Sequence, residues 1–156
     1  MNETSIAVHV EYLKHYLQNE WGPLTYATEG DACFDLHAAI RNSVVLIRGA
    51  ITIIPTGIKL ALPKGYEIQI RPRSGFTVKQ GVIVANSPGT IDSGYRGEVK
   101  IALLSLVSNE VIIRPGDRVA QAKVSVVPTV HFVNSTNVAR DFESERGEGG
   151  FGHTGI

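Results

Sequence analysis

The sequence predicts an all-β fold: a jelly-roll-like barrel or sandwich of short strands, with at most one or two short helices and a flexible C-terminal tail. Three observations lead there. Apolar and polar residues alternate in Ile58-Lys59-Leu60-Ala61-Leu62 and in Glu67-Ile68-Gln69-Ile70-Arg71, the period of a strand with one buried face. Turn-forming clusters (SPGTIDSG, SNE, RPGD) cut the apolar runs into short pieces. Long helical spacing is nearly absent, which leaves a sandwich or barrel as the way to bury one face of so many strands.

The elements follow in order. Residues 1–22 form an expected N-terminal arm: SIAVHV reads as a short strand, and EYLKHYLQNEW carries Tyr12, Leu13, Tyr16 and Leu17 at helical spacing before Gly22-Pro23 end it. Residues 23–134 are the expected β core. Within it AITIIPTGIKLAL and YEIQIR read as a hairpin turning at Pro63-Lys64-Gly65, and SGFTVKQG as one or two helical turns capped by Ser74. GVIVAN, EVKIALLSLVS and EVIIRPGDRVAQAKVSVV continue as strands. No repeat and no second domain is visible, so residues 1–156 read as one domain. Residues 135–156 read as its mobile tail, because five glycines fall among the last eleven residues.

Composition narrows the function classes. Lys+Arg and Asp+Glu balance at 15 each, so net charge alone does not hold this chain to nucleic acid, and none is expected as a partner. No apolar run reaches the ~20 residues of a membrane helix, and no membrane partner is expected. The first residues lack the basic-then-apolar order of a secretory signal, which leaves the cytoplasm as the expected location. The single cysteine, Cys33, allows no internal disulfide and reads as a small buried hydrophobe.

Five stretches carry chemistry beyond packing. In ATEGDACFDLHAA, Asp35 alternates away from Phe34 and Leu36 and faces solvent or a polar cleft. In RPRSGF, Ser74 and Gly75 put unpaired amides at a helix start beside Arg73, an arrangement that suits an anion or a plain helix cap. In ANSPGTIDSGYRGE, Gly89, Gly94 and Gly97 imply a tight hairpin whose backbone can approach a flat ligand. Asn86, Asp92 and Tyr95 lie along it, and the first two serve equally as turn formers. In RPGDRVAQAKV, Gln121 lies on a strand past the Gly116-Asp117 turn, and structure alone explains the stretch. In RGEGGFGHTGI, Arg146 can fork onto phosphate oxygens, and Gly149, Gly150 and Gly152 let backbone amides wrap an anion. Phe151 can stack on a base and Thr154 supplies a hydroxyl. A disordered end is the alternative that composition favours.

Taken in order, ATEGDACFDL, RPRSG, ANSPGTIDSGYRG, RPGDRVAQ and RGEGGFGHTG resemble the five motifs of the trimeric dUTP diphosphatases, the dUTPases, from roughly Tyr26 to the end. The resemblance implies a jelly-roll homotrimer with active sites shared between subunits. Its reaction would split dUTP at the α-phosphate into dUMP and pyrophosphate, limiting uracil in DNA and supplying dUMP for thymidylate synthesis. Asp92 is then the catalytic residue that orients and deprotonates the attacking water. Arg73, Ser74 and Gly75 hold the phosphates, and Gln121 adds a phosphate and water contact. Asn86 and the backbone from Gly89 through Thr90 and Ile91 read uracil, the Tyr95 ring packs on deoxyribose, and Lys100 touches the nucleotide. Arg146 clamps the γ-phosphate and Phe151 covers the base, with Gly152 and His153 beside them. Mg²⁺ is the implied cofactor, chelated by the three phosphates and water with no direct protein ligand, and Asp35 acts through that water or through the sugar pocket.

This chain departs from the pattern at Cys33 (usually Gly), Gly94 (usually Asp) and His153 (usually Ser). Gly94 leans toward a sister group of the same fold, the dCTP deaminases. Their proton-shuttling carboxylate lies ten residues past the hairpin Asp, where this chain has Ala102, and that favours hydrolysis over deamination. A regulatory binder without turnover is the other rival, and the intact Asp92 and complete tail count against it.

Overall fold

The computed structural model describes residues 5–150. Its strands are β1 (His9–Tyr12), β2 (Phe34–His37), β3 (Val44–Leu46), β4 (Ile51–Ala61), β5 (Tyr66–Arg71), β6 (Val82–Val84), β7 (Gly89–Asp92), β8 (Glu98–Ser105), β9 (Val111–Ile113) and β10 (Arg118–Val126). One sheet runs β1-β4-β8-β6, a second runs β2-β10-β5-β7, and β3-β9 make a short ribbon. All these pairs are antiparallel. The alternation seen in the sequence selects the buried face. Ile54, Ile58 and Leu60 of β4 and Ile101 and Leu103 of β8 join Leu36 of β2, Ile68 and Ile70 of β5 and Ala122 of β10 in one core. Each large aliphatic side chain so buried contributes roughly 1.5–3 kcal/mol. The opposite parity of β5 and its neighbours forms a polar outer face, and the candidate site is built on it.

Three expectations are corrected. First, β4 and β5 are not a hairpin: β4 lies between β1 and β8, and β5 between β10 and β7, in the other sheet. The Pro63-Lys64-Gly65 turn carries the chain across the core. The segment after Asn86 likewise crosses between sheets, since β7 pairs with β5 and β8 with β4 and β6. Alternation reports which face a strand buries and is the same whether the next strand pairs with it or faces it across the core. Second, Ser74 is not the cap of α2 (Ser74–Gln80): Arg73 holds the cap position in extended backbone with no side-chain cap bond. Third, there are three short helices among the described residues, with α1 (Gln18–Trp21) and α3 (Val138–Asp141) beside α2. The turn of α3 starts where the Asn137 side chain accepts from the Arg140 amide at 3.0 Å. Four residues are too few to show a helical period.

The N-terminal arm is docked, not free. Its strand starts later than SIAVHV and includes Tyr12, whose spacing alone is helical; β1 pairs with the end of β4. Beyond it Tyr12, Tyr16, Trp21 and His37 form a continuous run of ring contacts. Gly57 lets this happen. Its φ is +70°, and a Cβ there would lie 2.9 Å from the Tyr16 Cβ and 3.0 Å from the Ala39 Cβ. Its amide donates to Glu98 Oε1 at 2.9 Å, and its carbonyl accepts from the Leu13 amide at 2.8 Å. Gly57→Ala is expected to cost about 2–5 kcal/mol, the sum of left-handed strain and overpacking. Urea unfolding of the purified variant measures it, and a loss under about 0.5 kcal/mol would contradict this packing.

Candidate active site

Strand register builds the first half of the site. Asp35 of β2 lies beside Gln121 of β10, and Gln121 beside Arg71 of β5, so all three share the outer face. Past Arg71, Pro72 and Arg73 lead into α2. Arg73 Nε donates to Asp35 Oδ1 at 2.7 Å, and Arg118 Nη1 donates to Asp35 Oδ2 at 3.3 Å. Arg73 Nη1 also donates to the Arg118 carbonyl at 3.1 Å, and Gln121 Nε2 to the Pro72 carbonyl at 2.8 Å. These side chains, with Ser74 and Gly75, line a cavity of about 550 Å³. The amides at the start of α2 have no intrahelical acceptor. Two guanidinium groups against one carboxylate, with those amides, make a cavity suited to a polyanion.

Asp35 therefore faces a polar cleft, and its ion pairs decide what it can hold. Both carboxylate oxygens already accept from guanidinium groups. Among the described residues no group of three His, Cys, Asp or Glu side chains is placed to hold a metal ion.

Arg118, His37 and Trp21 also line this cavity, and the sequence reading named none of them as site residues. A signal existed for two. Arg118 directly follows Asp117 in the fourth motif, and His37 shares the parity of Asp35 in Phe34-Asp35-Leu36-His37. Cys33 stands half-buried at the same cavity and not in the core. The His37 ring stacks on Trp21 with centroids 5.8 Å apart. Its Nδ1 is buried without a hydrogen-bond partner among the described residues. Burial lowers its pKa; Arg118 and Arg73 act the same way, and Asp35 opposes them. A histidine lowered on folding binds more protons when unfolded. The contribution of His37 to stability is thus expected to be fully present above ~6.5 and to fall as pH drops below it. His37→Gln should flatten thermal-melt midpoints between about pH 5 and 8.

The second half of the site lies where β7 of this sheet meets β8 of the other. Asn86, Gly89, Thr90, Ile91 and Lys100 line a slot of about 50 Å³. The Asn86 amide packs onto Gly89, where a Cβ would come within 3.1 Å of Asn86 Nδ2 and 3.4 Å of the Ile70 Cβ. Tyr95 folds over Gly97 and donates from Oη to the Glu98 carbonyl at 2.9 Å. Asp92 ends β7, exposed, directly opposite Glu67. Arg73 is six residues further along the same extended chain, roughly 20 Å away at ~3.3 Å per residue. One chain thus brings Asp35, Arg73, Ser74, Gly75 and Gln121 together but not Asp92 with them. Arg146 is exposed, and its Nε donates to the Gly149 carbonyl at 2.8 Å. Phe151, Gly152, His153 and Thr154 lie outside the described residues.

Comparison with known proteins follows the same lines. The sequence profile of the dUTPase family matches residues 19–155. The deoxyuridine 5'-triphosphate nucleotidohydrolase of Rickettsia prowazekii is 45% identical over 98% of this chain and 99% of its own length. That of Chlamydia abortus is 47% identical over 83% and 88%. Among solved structures, a dUTPase variant of Staphylococcus bacteriophage 80alpha with dUpNHpp superposes with a TM-score of 0.77 at 23% identity, covering 96% of this chain and 99% of that one. A dUTPase variant from phage phi11 of S. aureus, described as coordinating a structural Mg(II) ion, gives 0.74 at 21% identity over 88% and 99%. At these identities the superpositions speak for the fold, and all the named neighbours are dUTPases.

Proposed function

This chain belongs to the dUTPase family, and from that premise we propose how it hydrolyses dUTP to dUMP. The working unit is a homotrimer in which Asp92 of one copy meets Arg73, Ser74 and Gly75 of the next. The observation that carries this reading is the roughly 20 Å of extended β5 between the position opposite Asp92 and Arg73. A water cannot touch both ends of that span, so a second copy completes the site.

In the assembled site Arg73, Arg118 and the α2 amides bind the triphosphate, and Gln121 contacts phosphate and water. Asp35 holds both guanidinium groups in register, which lowers the entropy lost on binding. Asp92 accepts a proton as the water oxygen forms its bond to the α-phosphorus. The bond to the α–β bridging oxygen breaks, and pyrophosphate leaves beside Ser74. General-base catalysis supplies about 10²–10⁴-fold, and alignment and charge neutralisation the remainder. When bound, Mg²⁺ would supply charge neutralisation of the polyanion.

Selectivity comes from the slot at Gly89. Uracil offers an acceptor at O4 and a donor at N3, which cytosine reverses. Backbone groups from Gly89 to Ile91 and the Asn86 amide read that pattern, and the wrong base leaves them unpaired. Contact between Asn86 and Gly89 leaves no room for the 5-methyl of thymine, and Tyr95 excludes a 2'-hydroxyl. Lys100 edges the same slot. Arg146 and Phe151, from the tail of a neighbouring copy, close over the γ-phosphate and the base, with Gly152 and His153. The cytoplasm, where a deoxynucleotide pool is held, is the compartment we assign. A panel of dUTP, dCTP, dTTP and UTP scored for pyrophosphate and ammonia tests the reading: pyrophosphate from dUTP alone is expected, and ammonia from dCTP would replace it with deamination.

A further inference from the structure

The arm ahead of the family-matched segment forms one wall of a separate groove of about 330 Å³. Lys14, His15 and Leu17 come from the arm, Ile40 and Arg41 from the chain after β2, and Pro115 from the turn before β10. Leu17, Ile40 and Pro115 give it an apolar floor. Lys14 and Arg41 are exposed cations on its rim, with no ion-pair partner among the described residues. His15 is held at 2.7 Å by Glu98 and so shapes the wall.

The tail carries the complementary pattern. Phe142 is 71% exposed, and Asp141, Glu143 and Glu145 surround it. Asp141 is tied to Ser135 and Arg140, whereas Glu143 and Glu145 have no ion-pair partner among the described residues. Among the described residues, none of the tail of the same chain lines the groove. The groove also adjoins the phosphate cavity: the Gly116 amide donates to the Ala38 carbonyl at 2.9 Å, and the Ala38 amide to the Asp117 carbonyl at 2.8 Å. Ile40 is three residues from His37, and Pro115 three from Arg118, both of which line that cavity. Arg146 lies four positions beyond Phe142, a reach of at most ~14 Å.

We propose that this groove binds residues 141–145 of a second copy, with Phe142 on the apolar floor and Glu143 and Glu145 against Lys14 and Arg41. The contact anchors the tail at the point from which Arg146 reaches the phosphate cavity. The arm thereby acquires a role: it is the anchor point for a neighbour's lid. The proposal rests on the reading that one copy's tail closes another copy's site.

The test is a cross-link. Leu17→Cys/Phe142→Cys in a Cys33→Ser background, oxidised with a non-hydrolysable dUTP analogue and Mg²⁺, should give disulfide-linked dimers and trimers on a non-reducing gel. Adding Lys14→Glu/Arg41→Glu should remove them. The charge reversal alone should raise KM for dUTP about tenfold with kcat within about twofold, and Glu143→Lys/Glu145→Lys in the same chain should restore it in part. No cross-link, or one confined to the monomer band, overturns the proposal. A tail deletion that spares turnover would instead overturn the lid reading, while the cross-link still reports on the groove.

Discussion

Asp92→Asn is expected to lower kcat for dUTP by about 10²–10⁴-fold while leaving affinity for a non-hydrolysable analogue within about threefold. The substitution keeps the shape of the side chain and removes only its ability to take a proton. Asp92 is exposed at the end of β7 and belongs to no part of the core, so stability should change by less than about 0.5 kcal/mol. Rapid-quench turnover and equilibrium binding separate the two effects. Comparable losses in both would make Asp92 a structural or binding residue and would remove the general base from the mechanism.

Deleting the residues after Arg140 is the second large effect. The lost groups include the Arg146 guanidinium and the Phe151 ring. A charge-assisted phosphate contact contributes about 1.5–3 kcal/mol and a base–aromatic stack about 1–3 kcal/mol. Together they predict a fall in kcat/KM of roughly 10²–10⁴-fold. Nothing beyond Val124 packs against the core among the described residues, so the thermal midpoint and the sedimentation coefficient of the assembly should hold. Glycines at 147, 149 and 150 make ordering this segment costly, and contacts with a triphosphate must offset that cost. A truncated protein with unchanged turnover would assign closure of the site to another segment.

The two levels of organisation were unequally legible in the sequence. Period-two alternation at Ile58 and Leu60 correctly names the buried face of β4, because face is a local property of the chain. Which strand lies next to it is not local: Ile51–Pro55 of β4 pair with residues 100–104 of β8, and no turn residue announces that. Both hairpin readings failed for this reason. The site shows the same division. Arg73, Ser74, Gly75 and Gln121 could be picked out from short motifs. The setting of Asp35 could not, because its partners Arg73 and Arg118 lie 38 and 83 residues away. The Trp21–His37 stack joins an arm to a strand through packing that leaves no periodic trace.

The central claim is that no single chain holds a complete site, and mixing two dead variants tests it most directly. Asp92→Asn and Arg73→Ala are each expected to be inactive alone. After joint unfolding and refolding at equal amounts, about one quarter of sites in random trimers pair an intact Asp92 from one chain with an intact Arg73 from its neighbour. Recovery of about a quarter of wild-type dUTP turnover is the predicted result. A mixture as inactive as its components, in trimers shown to be mixed by mass, would contradict the shared site.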